Sequence, residues 1–378
     1  MYKDFIVSEA LGYDDVMLIP KYSEISSRSE VDTSVELTKG IKVATPIVPS
    51  NMKTIIGRDM IKVMYSHKMM CVMHRFMSLE EQLQIGRDML KEYGSDIFNY
   101  LGYSIGVKKE DYESVDKIIT LGVKIICIDI AHGHSKHCIA MTKYIAEKYP
   151  HVLLISGNTA TYDGTMALYE AGADIVKCNV GSGSICLTRI NTGNGIPAIT
   201  TLIDCSEAKK DFQSKTGKKV FLMTDGGMKT PGDLVKGLCF ADLAMCGNVF
   251  SGCTEAPGEI LKIDGKEYLH ANKSHWHYKS NMPQRIEFSR FDYDINSPNS
   301  AENQFINGAV DFVPTASELR INNIEYIRQR IKEKFFVHIT NPIAFAYAQY
   351  TLKGLNLPIE DRRHIFSCMR RAVKKNLA

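Results

Sequence analysis

The chain of 378 residues is short of the features that mark membrane, secreted and nucleic-acid-binding proteins. No apolar run reaches the length that spans a bilayer, and the first residues, Met1 to Phe5, lack the apolar core of a secretory signal. The ten cysteines include no Cys-x-x-Cys pair and no regular spacing, which excludes a zinc ribbon and a disulfide scaffold. The net charge of +3 is too small to mark a nucleic-acid-binding surface. We therefore expect a soluble cytoplasmic protein with reduced thiols, and neither a membrane nor a nucleic acid as partner.

What the chain does have is a regular alternation of two kinds of segment. Near-continuous apolar runs, typical of strands covered on both faces, recur at residues 41–50, 69–75, 100–107, 124–132, 151–158, 174–183, 219–227 and 243–250. Helix-like segments of mixed charge lie between most of them, at residues 58–68, 78–93, 110–120, 136–148, 162–171, 201–213 and 231–239. Eight such units over about 210 residues match the size of an α/β protein with a (β/α)8 TIM barrel. We predict this barrel for residues 41–260, with a doubly wound open sheet as the alternative.

The rest of the chain has a weaker pattern. Residues 1–40 are mixed and polar, and we predict an irregular lead-in. Residues 261–316 have no clear period, which is typical of a mobile flap over an active site. Residues 317–378 are predicted to form a helical C-terminal extension, whose basic residues fit a solvated helix face.

Polar residues and glycines follow nearly every predicted strand, at the barrel rim where chemistry resides. After the seventh and eighth strands stand Asp225, Gly226, Gly227, Gly247 and Asn248, and loops at this position commonly bind phosphate. Because a carboxylate repels phosphate, we expect Asp225 to accept hydrogen bonds from a ribose diol instead. Thr230 and Pro231 predict the N-cap and first turn of the next helix.

The stretch Val180-Gly-Ser-Gly-Ser-Ile-Cys-Leu-Thr188 follows the sixth predicted strand. Its glycines allow a tight turn and a close approach to a ligand. Cys186 therefore stands in a polar loop, where a thiol is a candidate nucleophile. A small buried cysteine is the alternative, and the residues alone leave both open.

This stretch resembles the signature of the IMP dehydrogenase and GMP reductase family, Gly-x-Gly-Ser-x-Cys-x-Thr after a strand that carries a basic residue, here Lys177. Two positions depart, since Cys178 and Asn179 stand where the family has an aliphatic residue and glycine. The resemblance runs from about Tyr13 to Glu259 and includes Ile47-Val-Pro-Ser-Asn-Met52, Met73-His-Arg-Phe76, Ile128-Asp-Ile-Ala-His-Gly-His-Ser135, Thr224-Asp-Gly-Gly227 and Thr254-Glu-Ala-Pro-Gly-Glu259. It implies a (β/α)8 barrel, usually tetrameric, that acts on the purine ring of a 5′-nucleotide with a nicotinamide cofactor.

Two branches of that family carry out different reactions. Asn51-Met52, the Met73–Phe76 run and the lack of room for a regulatory insertion resemble the GMP reductases, especially a form from Gram-positive bacteria. The long flap resembles the IMP dehydrogenases, although Ile286 follows Arg285 where they carry an Arg-Tyr pair, and Gln304 stands where reductases carry Glu. The leading expectation is NADPH-dependent reduction of GMP. The alternatives are IMP oxidation with NAD, a modified or deoxy purine substrate, or a binding paralogue with little turnover.

The resemblance also implies roles for individual residues. The catalytic group would be Cys186, Thr188, Gln304 and Arg285. The substrate would contact Ser50, Ser184, Asp225, Gly226, Gly227, Gly247 and Asn248. The cofactor would contact Ser27, Arg28, His74, Asp129 and Ala131, with Ser27 and Arg28 reaching in from a neighbouring subunit of a homotetramer. The carbonyls of Gly181, Gly183 and Cys186 could bind a monovalent cation such as potassium.

Overall fold

The computed structural model describes residues 10–20, 22–27, 30–183, 186, 188–251, 253, 255–257, 259–263 and 266–270. In this part of the chain, every helix is too short or too polar to cross a membrane. The predicted flap and C-terminal extension lie outside it, apart from the last strands described below.

Eight parallel strands form the central sheet, as the sequence predicts. They are β3 (Ile47–Pro49), β4 (Cys71–Met73), β5 (Leu101–Ile105), β6 (Ile125–Asp129), β7 (Leu153–Thr159), β8 (Ile175–Cys178), β9 (Phe221–Asp225) and β10 (Leu243–Cys246). Hydrogen-bonded neighbours follow the order β3-β10-β9-β8-β7-β6-β5-β4. The two end strands, β3 and β4, contact each other and bring the sheet round to a nearly closed barrel. The TIM barrel is thus confirmed, and the open sheet is not formed.

Helices between the strands cover the outside of the barrel. They are α1 (Arg58–Ser66), α2 (Leu79–Tyr93), α3 (Lys109–Thr120), α4 (Lys136–Lys148), α5 (Tyr162–Glu170), α7 (Ala198–Thr216) and α8 (Pro231–Leu238). All seven lie where the sequence predicts helix. Only α7 is markedly longer than predicted, because Pro197 precedes its first turn and Gly217, at φ 69°, ends it in the left-handed region. Thr230 caps α8 as predicted, since its side chain accepts a hydrogen bond from the Asp233 N–H.

Several short elements have no counterpart in the prediction. They are the antiparallel pair β1 (Val35–Glu36) and β2 (Lys42–Val43), the 3₁₀ turn Ser95–Asn99, the helices α6 (Thr188–Thr192) and α9 (Asn248–Ser251), and the antiparallel pair β11 (Glu259–Ile263) and β12 (Lys266–His270). Segments of two to five residues are too short to show a period. The lead-in is therefore not wholly irregular, because β1 and β2 pack Val35 and Val43 into the apolar interior of the barrel.

Successive residues of each strand face opposite sides of the sheet, and both sides are apolar. On β6, Ile125 and Cys127 belong to the core inside the barrel, whereas Ile126 and Ile128 pack in the layer under the helices. Burial on both faces explains why the strands read as continuous apolar runs. The same alternation places Asp129, two residues beyond Cys127, on the inner face at the carboxyl end of the barrel.

Candidate active site

A buried lysine lies between two carboxylates at the mouth of the barrel. Lys177 on β8 continues the inward-facing series of Ile175, as Asp129 does on β6 and Asp225 on β9. The Lys177 Nζ atom is 2.7 Å from Asp129 Oδ1 and 2.7 Å from Asp225 Oδ2, and the lysine side chain is 2% exposed. We call these three residues the charge triad. Two carboxylates and one ammonium leave it with a net negative charge, directed at the rim.

The charge triad fixes the protonation of its members. Burial by itself raises the pKa of Asp129, but the charge of Lys177 outweighs burial, and the pKa of Asp129 lies below its ordinary value. Burial lowers the pKa of Lys177, but the two carboxylates raise it by more than burial lowers it. The pKa of Lys177 therefore lies above its ordinary value. Asp129 is therefore ionised and Lys177 protonated at neutral pH.

Amide side chains extend this polar network around the mouth. Asn158 Nδ2 donates to Asp225 Oδ2 at 2.8 Å and to the main-chain oxygen of Asn179 at 2.9 Å. On the other side, Asn51 Nδ2 donates to Ser104 Oγ at 2.8 Å, and its hydrogen bond to Asp129 contributes to the low pKa of that residue. Both carboxylates of the charge triad are thus held by an amide as well as by Lys177, which restricts their orientation.

The loop that carries Cys186 packs directly on the turn after β9. A Cβ atom on Gly226 would lie 3.3 Å from Gly183 Cα, and one on Gly227 would lie 2.9 Å from the Ser182 oxygen. Gly226 and Gly227 also have φ values of 75° and 82°, in the region that favours glycine. Main-chain atoms of the two segments are therefore in direct contact. The loop of Cys186 and the turn of Asp225 form one continuous surface.

Cys186 differs from the other cysteines that the structure describes. It is partly exposed, whereas the remaining eight are buried. Burial raises the pKa of the Cys71 thiol to about 12 and also raises the pKa of the Cys127 thiol. The Cys186 N–H donates to the Gly183 oxygen at 3.1 Å, which closes the loop into a turn. Cys186 is therefore not the buried cysteine of the alternative interpretation. Thr188 follows at the start of α6 and is also partly exposed.

The residues predicted to bind phosphate come from neighbouring strands. Gly247 follows β10 directly, and a Cβ there would lie 3.5 Å from Ser50 Oγ. The Ser50 N–H donates to the Cys246 oxygen at 2.9 Å, so Ser50 stands beside Gly247 across the junction of β3 and β10. The backbone of Asn248 begins α9 immediately afterwards. Gly226 and Gly227 come from the adjacent strand, β9, so the predicted phosphate residues share one sector of the rim.

The predicted cofactor residues occupy another sector, around Asp129. His74 follows β4 and is buried, and its Nδ1 accepts a hydrogen bond from the Phe76 N–H at 3.2 Å, so its proton lies on Nε2. Arg75 Nε donates to the main-chain oxygen of Asp129 at 3.0 Å. Ala131 is exposed on the loop after β6.

Comparison with known proteins gives this geometry a family. The sequence model described as "IMP dehydrogenase / GMP reductase domain" matches residues 10–332. The chain belongs to the IMP dehydrogenase and GMP reductase family. The match continues beyond Glu259, where the resemblance was expected to end, and includes the segment predicted as a flap.

Curated relatives of similar length carry the reductase name. The GMP reductase of Lactobacillus johnsonii is 35% identical over 279 residues, which cover 72% of this chain and 78% of the relative. The GMP reductase of Streptococcus agalactiae is 33% identical over 76% of this chain and 83% of the relative. GMP reductase 1 of Mus musculus is 34% identical over 68% of this chain and 73% of the relative.

Ser184, Arg28, Arg285 and Gln304 lie outside the described residues. Ser27 lies in the N-terminal segment, and its main-chain oxygen accepts a hydrogen bond from the Glu30 N–H at 3.1 Å.

Sequence reasoning assigned no site role to Lys177, Asn51, Asn158 or Asn179, which the structure brings into the polar network. Their signal was a polar residue at or just after the end of a buried strand.

Proposed function

We propose that this chain is a GMP reductase that removes the 2-amino group of GMP and transfers a hydride to the same carbon. The observation that carries the proposal is the partly exposed Cys186 on a loop packed against the turn of Asp225, next to the charge triad. The reductase names of the relatives, with 33–36% identity over most of the chain, favour this branch.

The nucleotide would lie across the mouth with its parts over different loops. The backbone N–H groups of Gly227 and Gly247 would bind the phosphate, because such turns present donors to an anion. The Gly226 N–H donates to the Met245 oxygen at 3.0 Å, so Gly226 would contribute by letting the substrate approach the backbone closely. Asp225, held 2.7 Å from Lys177 Nζ, would accept hydrogen bonds from the ribose hydroxyls. The purine would then reach the Cys186 thiol.

The thiolate of Cys186 would form a bond to purine C2, and the amino group would leave as ammonia after taking up a proton. Thr188 stands two residues beyond the thiol and would help to deliver that proton. Asp129 is excluded as the proton donor at neutral pH because its pKa is lowered. His74 is the other candidate that the resemblance offers among the described residues of this sector.

The cofactor would be NADPH, held around Asp129, Ala131 and His74 and, from a neighbouring subunit, by Ser27 and Arg28. When bound, it supplies the hydride that C2 receives, and the bond between C2 and the Cys186 sulfur breaks to release IMP and the thiolate. An ionised Asp129 is a good acceptor for ribose hydroxyls, so the residues present fit this group. We further propose a homotetramer in the cytoplasm, as the family resemblance implies.

A monovalent cation fits the loop of Cys186. Oxygen atoms are the ligands that hard cations prefer, and the family resemblance implies such a role for main-chain oxygens of this loop. We propose potassium at the carbonyls of Gly181, Gly183 and Cys186. Exchange of potassium for lithium in the buffer is expected to lower turnover, and equal turnover in both salts would contradict it.

The test is to mix the purified protein with GMP and NADPH and to follow loss of the reduced-nicotinamide absorbance. The proposal expects NADPH oxidation with equal amounts of IMP and ammonia, and no reaction of Cys186→Ala, which still binds GMP.

IMP dehydrogenase is the second candidate, because Gln304 stands where reductases carry Glu. Reduction of NAD with IMP, and silence with GMP, would replace the first proposal with this one. Binding of GMP and IMP without turnover in either assay would favour a modified substrate or a binding paralogue.

A further inference from the structure

Asn179, the first residue after β8, has an unusual backbone conformation and a buried side-chain oxygen without a hydrogen bond in the described structure. Its φ is 93°, a region that residues other than glycine seldom adopt. Its side chain is 3% exposed, and among the described residues its Oδ1 atom has no hydrogen-bond partner. The family signature that the sequence resembles has glycine here. Two local rules are broken at one position, as happens at functional sites.

The amide of Asn179 reaches the strand that carries Asp225. Its Nδ2 donates to Thr224 Oγ1 at 2.8 Å, and the Tyr13 hydroxyl lies 2.9 Å from the same oxygen. The main-chain oxygen of Asn179 accepts from Asn158 Nδ2, which also donates to Asp225. Asn179 is therefore tied to the Asp225 strand through its side chain and through its backbone.

The chain that leaves Asn179 leads through Gly181 and Gly183 to Cys186. The position of Asn179 thus sets where the nucleophile loop begins relative to Asp225. We propose that Asn179 is a positioning residue that holds the loop of Cys186 in register with the turn of Asp225. The inference rests on the proposed function, because it assigns those two segments to the base and the ribose of one nucleotide.

Asparagine enters the left-handed region more readily than most residues, so Asn179 could be present only because it tolerates this backbone. The substitution Asn179→Gly distinguishes that explanation from a positioning role, because it keeps the backbone and removes the side chain. Glycine adopts this φ without strain, so the melting temperature is expected to stay equal or rise. If Asn179 positions the loop, the KM for GMP should rise about tenfold and kcat should fall, as expected from loss of a buried hydrogen bond that aligns the site. Unchanged kinetics in the folded variant would overturn the proposal.

A double-mutant cycle tests whether Asn179 acts through its hydrogen bond to Thr224. Thr224→Val removes the acceptor at nearly constant shape, and Asn179→Gly in that background should add little further loss. Fully additive losses would show that Asn179 does not act through Thr224 and would overturn the proposal. Thr142→Val is the matched control: it removes a buried hydroxyl bonded to Ser156 Oγ at 2.8 Å, between α4 and β7, and should leave both kinetic constants unchanged.

A binding readout keeps this inference separate from the proposed reaction. GMP should protect Cys186 from iodoacetamide, measured by peptide mass spectrometry, and Asn179→Gly should need about tenfold more GMP for equal protection. If the wild type oxidises no NADPH but shows this difference, the reductase proposal fails and the Asn179 proposal stands. Equal protection in both proteins, or no protection of the wild type by GMP or IMP, would overturn the Asn179 proposal.

Discussion

Replacing Lys177 by Met would leave two neighbouring carboxylates without their cation, while the apolar part of the side chain keeps a similar length. Each contact in the charge triad is 2.7 Å long. At that distance, an effective dielectric constant of about 20 gives a gross attraction of about 6 kcal/mol for each pair, most of which offsets desolvation. Loss of one partner from a buried pair costs about 3–5 kcal/mol. Because Asp129 and Asp225 are 19% and 20% exposed, we expect the free energy of unfolding to fall by about 3 kcal/mol.

Urea unfolding at pH 7.5 measures the loss of stability, and NADPH oxidation measures the loss of turnover. We expect the loss of turnover to exceed about a hundredfold, because both carboxylates that we propose to bind ribose lose their orientation. The loss of stability should shrink as the pH is lowered toward about 5. Without Lys177 a buried carboxylate has a raised pKa, so the folded state binds a proton more tightly than the unfolded state and gains stability as the pH falls.

Lys209→Met is the matched control, because it removes a lysine from another buried pair outside the barrel mouth. Lys209 Nζ lies 2.5 Å from Asp242 Oδ2, which also accepts from the Leu222 N–H. A similar loss of stability with turnover close to the wild type is expected. The reasoning is refuted if Lys177→Met unfolds within about 1 kcal/mol of the wild type, or if both variants lose turnover equally.

Three further predictions concern the same site. Iodoacetamide should modify Cys186 before the other described cysteines, because those are buried, and peptide mapping that finds another of them first would contradict this. Gly157→Ala should lose more than about 3 kcal/mol in urea unfolding, because its Cβ would clash with the main-chain oxygen of Lys177. Gly217→Ala, with φ 69° and open space around the Cβ, should lose only about 1 kcal/mol. Because the pKa of Asp129 is lower in the folded state, this carboxylate stabilises the fold at pH values above its unfolded pKa of about 3.9. That stabilisation is lost as the pH falls through the folded pKa. Lys177→Met should lose that acid dependence, and an unchanged profile would argue against the charge triad.

Much of the barrel could be predicted because each strand is buried on both faces and each helix has its own polar face. The eight apolar runs and seven helical segments therefore appear directly in the sequence, as does the cap formed by Thr230. The short elements could not be predicted, since α6 has five residues and β1 has two.

The polar network depended on information that no local pattern holds. Lys177 lies 48 residues from each carboxylate that it contacts, and the contacts exist only because β6, β8 and β9 bring their inner faces together at one end. Asn179 was visible only as a departure from a family signature. Its bond to Thr224, 45 residues away, required the register of β8 on β9.

The most direct test of the account is a crystal structure of the protein with GMP bound. The account predicts purine C2 within about 3.5 Å of the Cys186 sulfur, or bonded to it, with the ribose hydroxyls on Asp225 and the phosphate on the N–H groups of Gly227 and Gly247. A base placed away from that sulfur, or a phosphate bound elsewhere on the rim, would contradict it.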